Sequence, residues 1–190
     1  MNRNFTRFAF TESVKKAQER YGTRRSYARM ESAGDRYVLT DKEAAFIQSR
    51  DSLYMATVGE NGWPYVQFRG GPRGFLKVID ATTLGYADFR GNGQYISTGN
   101  IQASHKAALM LMDYPSQQRL KIWVEATIVE AEQDVALAQQ LTMPDYEARI
   151  ERLVMFAVQA YDWNCPQHIT PRYTADEIKE LTGEQLPAEQ

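Results

Sequence analysis

The sequence predicts a mainly β domain with peripheral helices (α+β), its antiparallel strands closed into a barrel or a split barrel. Three observations predict it. From Ser52 onward the apolar pattern changes to a period of two, over runs that follow one another closely. Turn-forming residues separate those runs and few helical patterns intervene, which favours hairpins over βαβ crossovers. Helical periodicity is concentrated in the first fifty residues, in 132–152 and in the tail. A chain of 190 residues then reads as one domain: a helical extension (1–51), a barrel (52–163) with a helical insertion at about 132–152, and a C-terminal motif and helix (164–190).

Each element has a local reason. "FTESVKKAQERYG" (10–22) offers Thr11 or Ser13 as N-cap and Gly22 as a stop signal. The basic cluster "RYGTRRSYAR" (20–29) reads as a solvated or interface segment. "LTDKEAAFIQSRD" (39–51) has Thr40 followed three residues later by Glu43, a capping-box spacing, and apolar content for packing on the body.

Strands are expected at 52–58, 65–69, 74–80, 83–89, 107–114 and 119–130. Asn61-Gly62 marks a hairpin between the first two, and "DYPSQQ" (113–118) a second turn. The long run 119–130 is expected to bend or to leave the barrel wall. An exposed edge of that length invites association, and burial in a dimer removes the hazard. "EQDVALAQQL" and "DYEARIERL" return to helical character, 154–163 reads as a closing strand, and "TADEIKELTG" (174–183) as a helix capped by Thr174 with Glu177.

Composition excludes several classes. A net charge of −2 and a pI of about 5.8 oppose a general nucleic-acid surface. A single cysteine excludes an intrachain disulfide framework, and two histidines make a Cys/His zinc site an unfavourable reading. No apolar run reaches the roughly 20 residues needed to cross a bilayer, and the N-terminus lacks the pattern of a signal peptide. No membrane partner is expected, and the cytoplasm is the default location. Cys165, a lone cysteine before proline, reads as a buried small residue. Trp63, Trp123 and Trp163 read as core or interface anchors.

Two stretches carry chemistry. In "YADFRGNGQYISTGN" (86–100) a strand runs through a Gly-rich turn, with Asn92 as N-cap, into a short helix expected to close at Gly99. Free backbone N–H groups at such a helix start, beside Arg90 or Arg69, make an anion site and most simply a phosphate site. The same residues also suit a plain tight loop. In "YVQFRGGPRGF" (65–75) Gln67 and Arg69 share one face of a strand, and Gly70-Gly71 would let a flat ligand approach the backbone. An outward polar face followed by a Gly-Pro turn fits equally.

These residues resemble a known family. Gly62-Trp63-Pro64, the strand "YVQFR", the strand "TLGYADF" and the polar loop-helix are together similar to the pyridoxamine 5′-phosphate oxidase-like group of FMN-binding split β-barrels, over roughly residues 40–130. "RGGPRGFLKVID", "GNGQYISTGNI", "LMLMDYP" and above all "DWNCPQHITPR" resemble a bacterial subgroup of FMN-binding proteins with a C-terminal CPQHI motif.

The resemblance implies FMN at a homodimer interface with both subunits contributing. It sets Gln67 where the true oxidases use an arginine to hold FMN, and the backbone of Phe68, Arg69, Gly70 and Gly71 beside the isoalloxazine. Asp88, Arg90, Asn92 and Gln94 fall where those oxidases grip the ribityl phosphate with a loop ending Ser-Arg-Lys. That Arg-Lys pair is absent here, so Arg90, Arg69 and backbone N–H groups would have to replace it. Gln167, His168 and Arg172 stand in place of the oxidases' Arg- and His-containing terminus, a change that argues against ordinary vitamin B6 substrates. Val124-Glu125, where relatives tend to have Gly after Trp, would narrow the site or shift the strand.

The expected function is therefore an FMN-dependent oxidoreductase passing hydride or electrons between the flavin and a small-molecule substrate, with no side chain required to be catalytic. A non-catalytic flavin- or haem-binding protein of the same fold is the alternative, with His168 as the more suitable of two histidines for an axial ligand. The same contacts would also serve a deazaflavin.

Overall fold

The computed structural model describes residues 4–183; the ends of both expected terminal segments lie outside the described residues. Seven strands form one sheet: β1 (Ser52–Val58), β2 (Pro64–Gly70), β3 (Lys77–Asp80), β4 (Thr83–Phe89), β5 (Lys106–Asp113), β6 (Gln118–Glu130) and β7 (Ile150–Trp163). Their order is β2-β1-β5-β6-β7-β4-β3, and every pairing is antiparallel.

The sheet curls on itself. β2 and β4 are not ladder neighbours, yet Arg69 Nη1 on β2 lies 3.8 Å from Asp88 Oδ1 on β4. A barrel wall thus closes through side chains rather than backbone at this seam. This is the split barrel, with helices at its periphery.

Alternation decides which face is inside. Leu53 and Met55 of β1, Leu109 and Leu111 of β5, and Leu120 and Ile122 of β6 are all fully buried. Each such side chain contributes about 1.5–3 kcal/mol on leaving water. Ile47, on α4 (Asp41–Gln48), plugs the same core. The capping box expected at Thr40 and Glu43 is formed, and Glu43 also accepts 2.7 Å from Trp163 Nε1, tying α4 to the end of β7. Burial pushes the Glu43 carboxyl up, but hydrogen bonds from Thr40 and Trp163 outweigh it and hold the group below its usual range.

The β1–β2 hairpin turns through Gly59–Gly62, closed by Gly62 N–H donating to Gly59 O at 2.8 Å, with Gly62 left-handed at φ +81°. The β5–β6 turn forms where expected, with Gln117 at φ +52°. The long β6 strand does meet an irregularity: Trp123 pairs with Ala160 and Val124 with Val158, so Gln159 bulges from β7 beside the Val124-Glu125 position.

Several expectations need correction. Only Lys77–Asp80 of 74–80 is strand, because Phe75 N–H closes a turn on Pro72 O (2.9 Å) and Gly74 takes φ +77°. Of 132–152, only α6 (Val135–Leu141) is helical; Pro144 forbids its continuation, and β7 already begins at Ile150. Residues 150–153 have helix-forming side chains, but pairing with β4 and β6 overrides that preference.

The N-terminal region forms α1 (Thr6–Ala9), α2 (Glu12–Arg20) and α3 (Arg24–Glu31). Thr11, not Ser13, caps α2, and the basic cluster 20–29 is largely helix α3, with no buried residue. Buried Phe5 anchors this extension by stacking on Trp123 at 5.8 Å. Cys165 is exposed, against the expectation of burial. Trp63, three-quarters exposed, anchors nothing in the core of one chain. The expected C-terminal helix is α7 (Ala175–Thr182), with its Thr174–Glu177 capping box.

Candidate functional site

A cleft of about 150 Å³ opens at the seam between β2 and β4. β2 supplies one wall through its half-buried side chains Tyr65, Gln67 and Arg69, while Val66, Phe68 and Gly70 point outward. The shared face of Gln67 and Arg69 is therefore as the period of two requires. The Tyr65 hydroxyl donates to Gln67 Oε1, which leaves the Gln67 amide N–H groups as what that side chain offers.

The opposite wall is the loop 91–94 and the start of α5 (Ile96–Ser104). Asn92 does not cap this helix: its Oδ1 accepts from Gln94 N–H at 3.1 Å in a local turn. The N-cap position falls to Tyr95, a left-handed residue at φ +52°, and no side chain among the described residues caps the first turn. The first three N–H groups of α5 belong to Ile96, Ser97 and Thr98, which line the cleft, and a helix start leaves such groups without intrahelical partners. Gly99 does not stop the helix either. α5 continues to His105, itself left-handed, whose N–H reaches Ile101 O at 2.8 Å. Buried Ile101 and the bond from Asn100 Nδ2 to Thr57 Oγ1 (3.0 Å) fix α5 against β1.

The floor is charged. Asp88, 7% exposed, stands between two arginines: Arg69 Nη1 at 3.8 Å and Arg152 Nε, from β7, at 3.7 Å. Arg152 is as buried as Asp88; its Nη1 donates to Thr98 Oγ1 at 3.1 Å, its Nη2 pairs with Glu151, and its guanidinium lies 4.6 Å from the Tyr95 ring centre. Burial pushes the Asp88 carboxyl above its usual range, Arg69 and Arg152 oppose that, and Glu151 adds to it. Burial also drives the hydroxyl of Tyr86 strongly upward, so it stays protonated beneath the seam. Arg69 Nε and Ser97 Oγ are buried polar atoms without a hydrogen-bond partner among the described residues. Buried polar atoms are rarely left so in a finished site, and here two of them belong to residues that line one cleft.

Comparison with known proteins gives this geometry a family. The model of the family described as pyridoxamine 5′-phosphate oxidase matches residues 39–164, more than half of the chain. This chain belongs to the pyridoxamine 5′-phosphate oxidase family. No curated protein sequence matches it. Among solved structures it is similar to Group A Streptococcus HupZ (16% identity, covering 71% of this chain and 99% of that one, TM-score 0.52). It is also similar to an FMN-binding protein from Syntrophomonas wolfei (15% identity, 76% and 96% covered, TM-score 0.50). A third is a Clostridium acetobutylicum protein of the pyridoxinephosphate oxidase family, related to general stress protein 26 of B. subtilis (14% identity, 72% and 94% covered, TM-score 0.50). At such identities the likeness is one of fold.

Within this family fold, five of the residues singled out from sequence line the cleft together: Gln67, Arg69, Asp88, Asn92 and Gln94. Arg90 stays at its rim, its side chain largely exposed and its Nε 3.9 Å from Glu151. Phe68, Gly70 and Gly71 lie on the outward side of β2, beside Tyr146. Room at the glycine doublet is used by the protein itself: a Cβ on Gly70 would come within 2.9 Å of the Phe68 ring, and one on Gly71 within 2.9 Å of Phe75 Cβ.

The C-terminal motif is elsewhere in the single chain. Gln167 and His168 are exposed, His168 at φ +65°, and buried Ile169 docks the segment by accepting from Gln117 Nε2 at 2.6 Å. Arg172 lies 5.1 Å from the Tyr114 ring centre, beside a separate cleft near Ser49–Ser52.

Sequence reasoning missed Tyr65, Tyr95, Ser97, Thr98, Glu151 and above all Arg152. Its one signal was an arginine at the start of an apolar run in "ERLVMF", a pattern hidden by reading that segment as helix. Among the described residues no group of His, Cys, Asp and Glu side chains is placed to hold a metal ion, and no helix is long and apolar enough to cross a membrane.

Proposed function

We propose that this chain is an FMN-binding flavoprotein, an oxidoreductase that passes hydride or electrons between the flavin and a small organic substrate. The observation that carries it is the seam cleft with an anion-binding end: Arg69 and Arg152 on either side of Asp88, an uncapped helix start, and the orphaned Ser97 hydroxyl. Flavin, when bound, supplies the redox chemistry.

The chain's own residues bind and orient. Ser97 Oγ, the first N–H groups of α5 and Arg69 hold the phosphate, with Asn92 and Gln94 shaping the loop around it. Arg152 supplies the fixed positive charge that the missing Arg-Lys pair would otherwise provide. Gln67 offers its amide to the hydrogen-bonding edge of the ring.

A homodimer belongs to the same proposal. The cleft in one chain, about 150 Å³, is well short of the roughly 300–1,000 Å³ typical of sites that enclose such ligands, so a second copy is needed to cover the flavin. The outward face of edge strand β2 supports this, with Val66 60% and Phe68 55% exposed, and Trp63, 75% exposed, in the turn just before it. Gln167, His168 and Arg172, in the CPQHI-containing terminus that defines the finer subgroup, would reach the flavin from that second copy.

An absorption spectrum of protein purified without added cofactor, repeated after reconstitution with FMN, tests the reading. Flavin bands that survive gel filtration and weaken in Arg69→Ala support it. A Soret band, or no chromophore after reconstitution, would overturn it.

A further inference from the structure

The groups best suited to hold an anion at the seam are already turned towards one, and it is part of the chain. Glu151, on β7 immediately before Arg152, pairs with Arg152 Nη2. Arg90 Nε approaches the same carboxylate at 3.9 Å, and the Tyr95 hydroxyl reaches both of its oxygens at 3.4 Å. Tyr95 takes a left-handed backbone, at φ +52°, where its hydroxyl makes these contacts.

The other donors of Arg152 are spoken for by structure. Nε faces Asp88 at 3.7 Å and Nη1 bonds Thr98 at 3.1 Å, both on elements that build the cleft wall. Nη2 pairs with Glu151, whose other partners, Arg90 and Tyr95, are both largely exposed at the cleft rim. Glu151 is therefore the one acidic partner that can leave without dismantling the wall, whereas Asp88 is buried beneath it.

We propose that Glu151 is an intramolecular stand-in for the ligand's anionic group, and that it sets the specificity of the seam by charge. This rests on the reading of the cleft as a phosphate site and adds a selection rule to it. With Glu151 in place, Arg69, Arg90 and Arg152 face two carboxylates, Asp88 and Glu151. A monoanionic ligand exchanges one carboxylate-like contact for another and gains little. A phosphate monoester, with up to two charges and three acceptor oxygens, displaces Glu151 from Arg152 and from Tyr95 and makes more charge-assisted bonds than it breaks. The site then favours dianionic phosphate esters over carboxylates, while Glu151 itself competes with every anion and leaves an uncharged analogue of the same ligand almost unaffected.

The test compares the wild type with Glu151→Gln and Glu151→Asp. The first removes the stand-in charge; the second withdraws it by one methylene. Thermal unfolding of apo protein in inorganic phosphate against chloride at equal ionic strength gives a readout independent of flavin. FMN and riboflavin titrations give the second. Glu151→Gln is expected to bind FMN about tenfold more tightly, since one competing charge-assisted contact is gone. Its riboflavin affinity is expected to change less than about twofold, and phosphate should raise its midpoint more than that of the wild type.

Glu151→Asp should fall between, and it carries the test if the glutamine variant does not fold. Weaker or unchanged binding of both phosphate and FMN in the variants would show that Glu151 merely braces Arg152, and would overturn the inference. A phosphate response that grows in the variants while no form binds flavin would keep the inference and sink the flavin reading instead.

Discussion

Replacing Arg152 by methionine tests whether the seam is held by charge. Methionine keeps most of the apolar stem's packing, so what is removed is the guanidinium. That leaves Asp88, 7% exposed, with Arg69 at 3.8 Å as its one remaining charged partner among the described residues, and deprives Thr98 Oγ1 of its donor. Breaking a buried ion pair from one side costs roughly 3–5 kcal/mol, and the remaining Arg69 contact sets the expectation near about 3 kcal/mol. In a chain of this size each kcal/mol moves the melting midpoint by roughly 2–4 °C, so a drop of about 6–12 °C is expected.

Urea unfolding of Arg152→Met, Asp88→Asn and the double variant supplies the coupling energy directly. The double variant should lose at least about 1 kcal/mol less than the two single losses added together. Strict additivity, or an Arg152→Met loss below about 1 kcal/mol, would refute the view that these two side chains hold the seam together.

Trp163→Phe should cost about 1–3 kcal/mol although its ring is only partly replaced, because buried Glu43 loses the donor at 2.7 Å; chemical denaturation measures it. The Glu43 pKa is depressed, so its contribution to stability is present above the ordinary carboxylate range and is lost as pH falls through the folded value. That acid-side loss should be shallower in Trp163→Phe than in the wild type. Asp88 has the opposite sign. Its folded pKa is raised, chiefly by burial, so its ionisation weakens the fold as pH rises from the ordinary value of 3.8 through the folded one. Wild-type stability relative to Asp88→Asn should therefore decline across that window in pH-dependent urea titrations, and a rise would contradict the assignment.

Local signals made much of the fold legible. Leu53 and Met55, or Leu109 and Leu111, alternate with only partly buried neighbours as the strand period requires, and Thr40–Glu43 and Thr174–Glu177 announce their helices by spacing alone. The failures share one physical cause: contacts distant in sequence. Residues 150–153 have helix-forming side chains, and only their register opposite Asp88 and Glu130 makes them strand. Arg152 could not be assigned to the cleft before that register was known.

The start of α5 was misjudged for a different reason. Asn92 is a good capping residue, but its bond to Gln94 closes a turn instead, and Tyr95 carries no sequence mark of its left-handed backbone. Gly99 has open space around it and no positive φ, so nothing there requires a helix to end. Gln67, Arg69 and Asp88 were legible because strand period and a strand end settle where they point.

The most direct measurement is a paired titration of the wild-type protein with FMN and with riboflavin at fixed ionic strength, followed by flavin fluorescence. The account predicts saturation at one FMN per chain and at least about tenfold weaker binding of riboflavin, since the two differ only in the phosphate that Arg69, Ser97 and the α5 start are proposed to hold. Equal affinities for the two flavins, or no saturable binding of either, would contradict it.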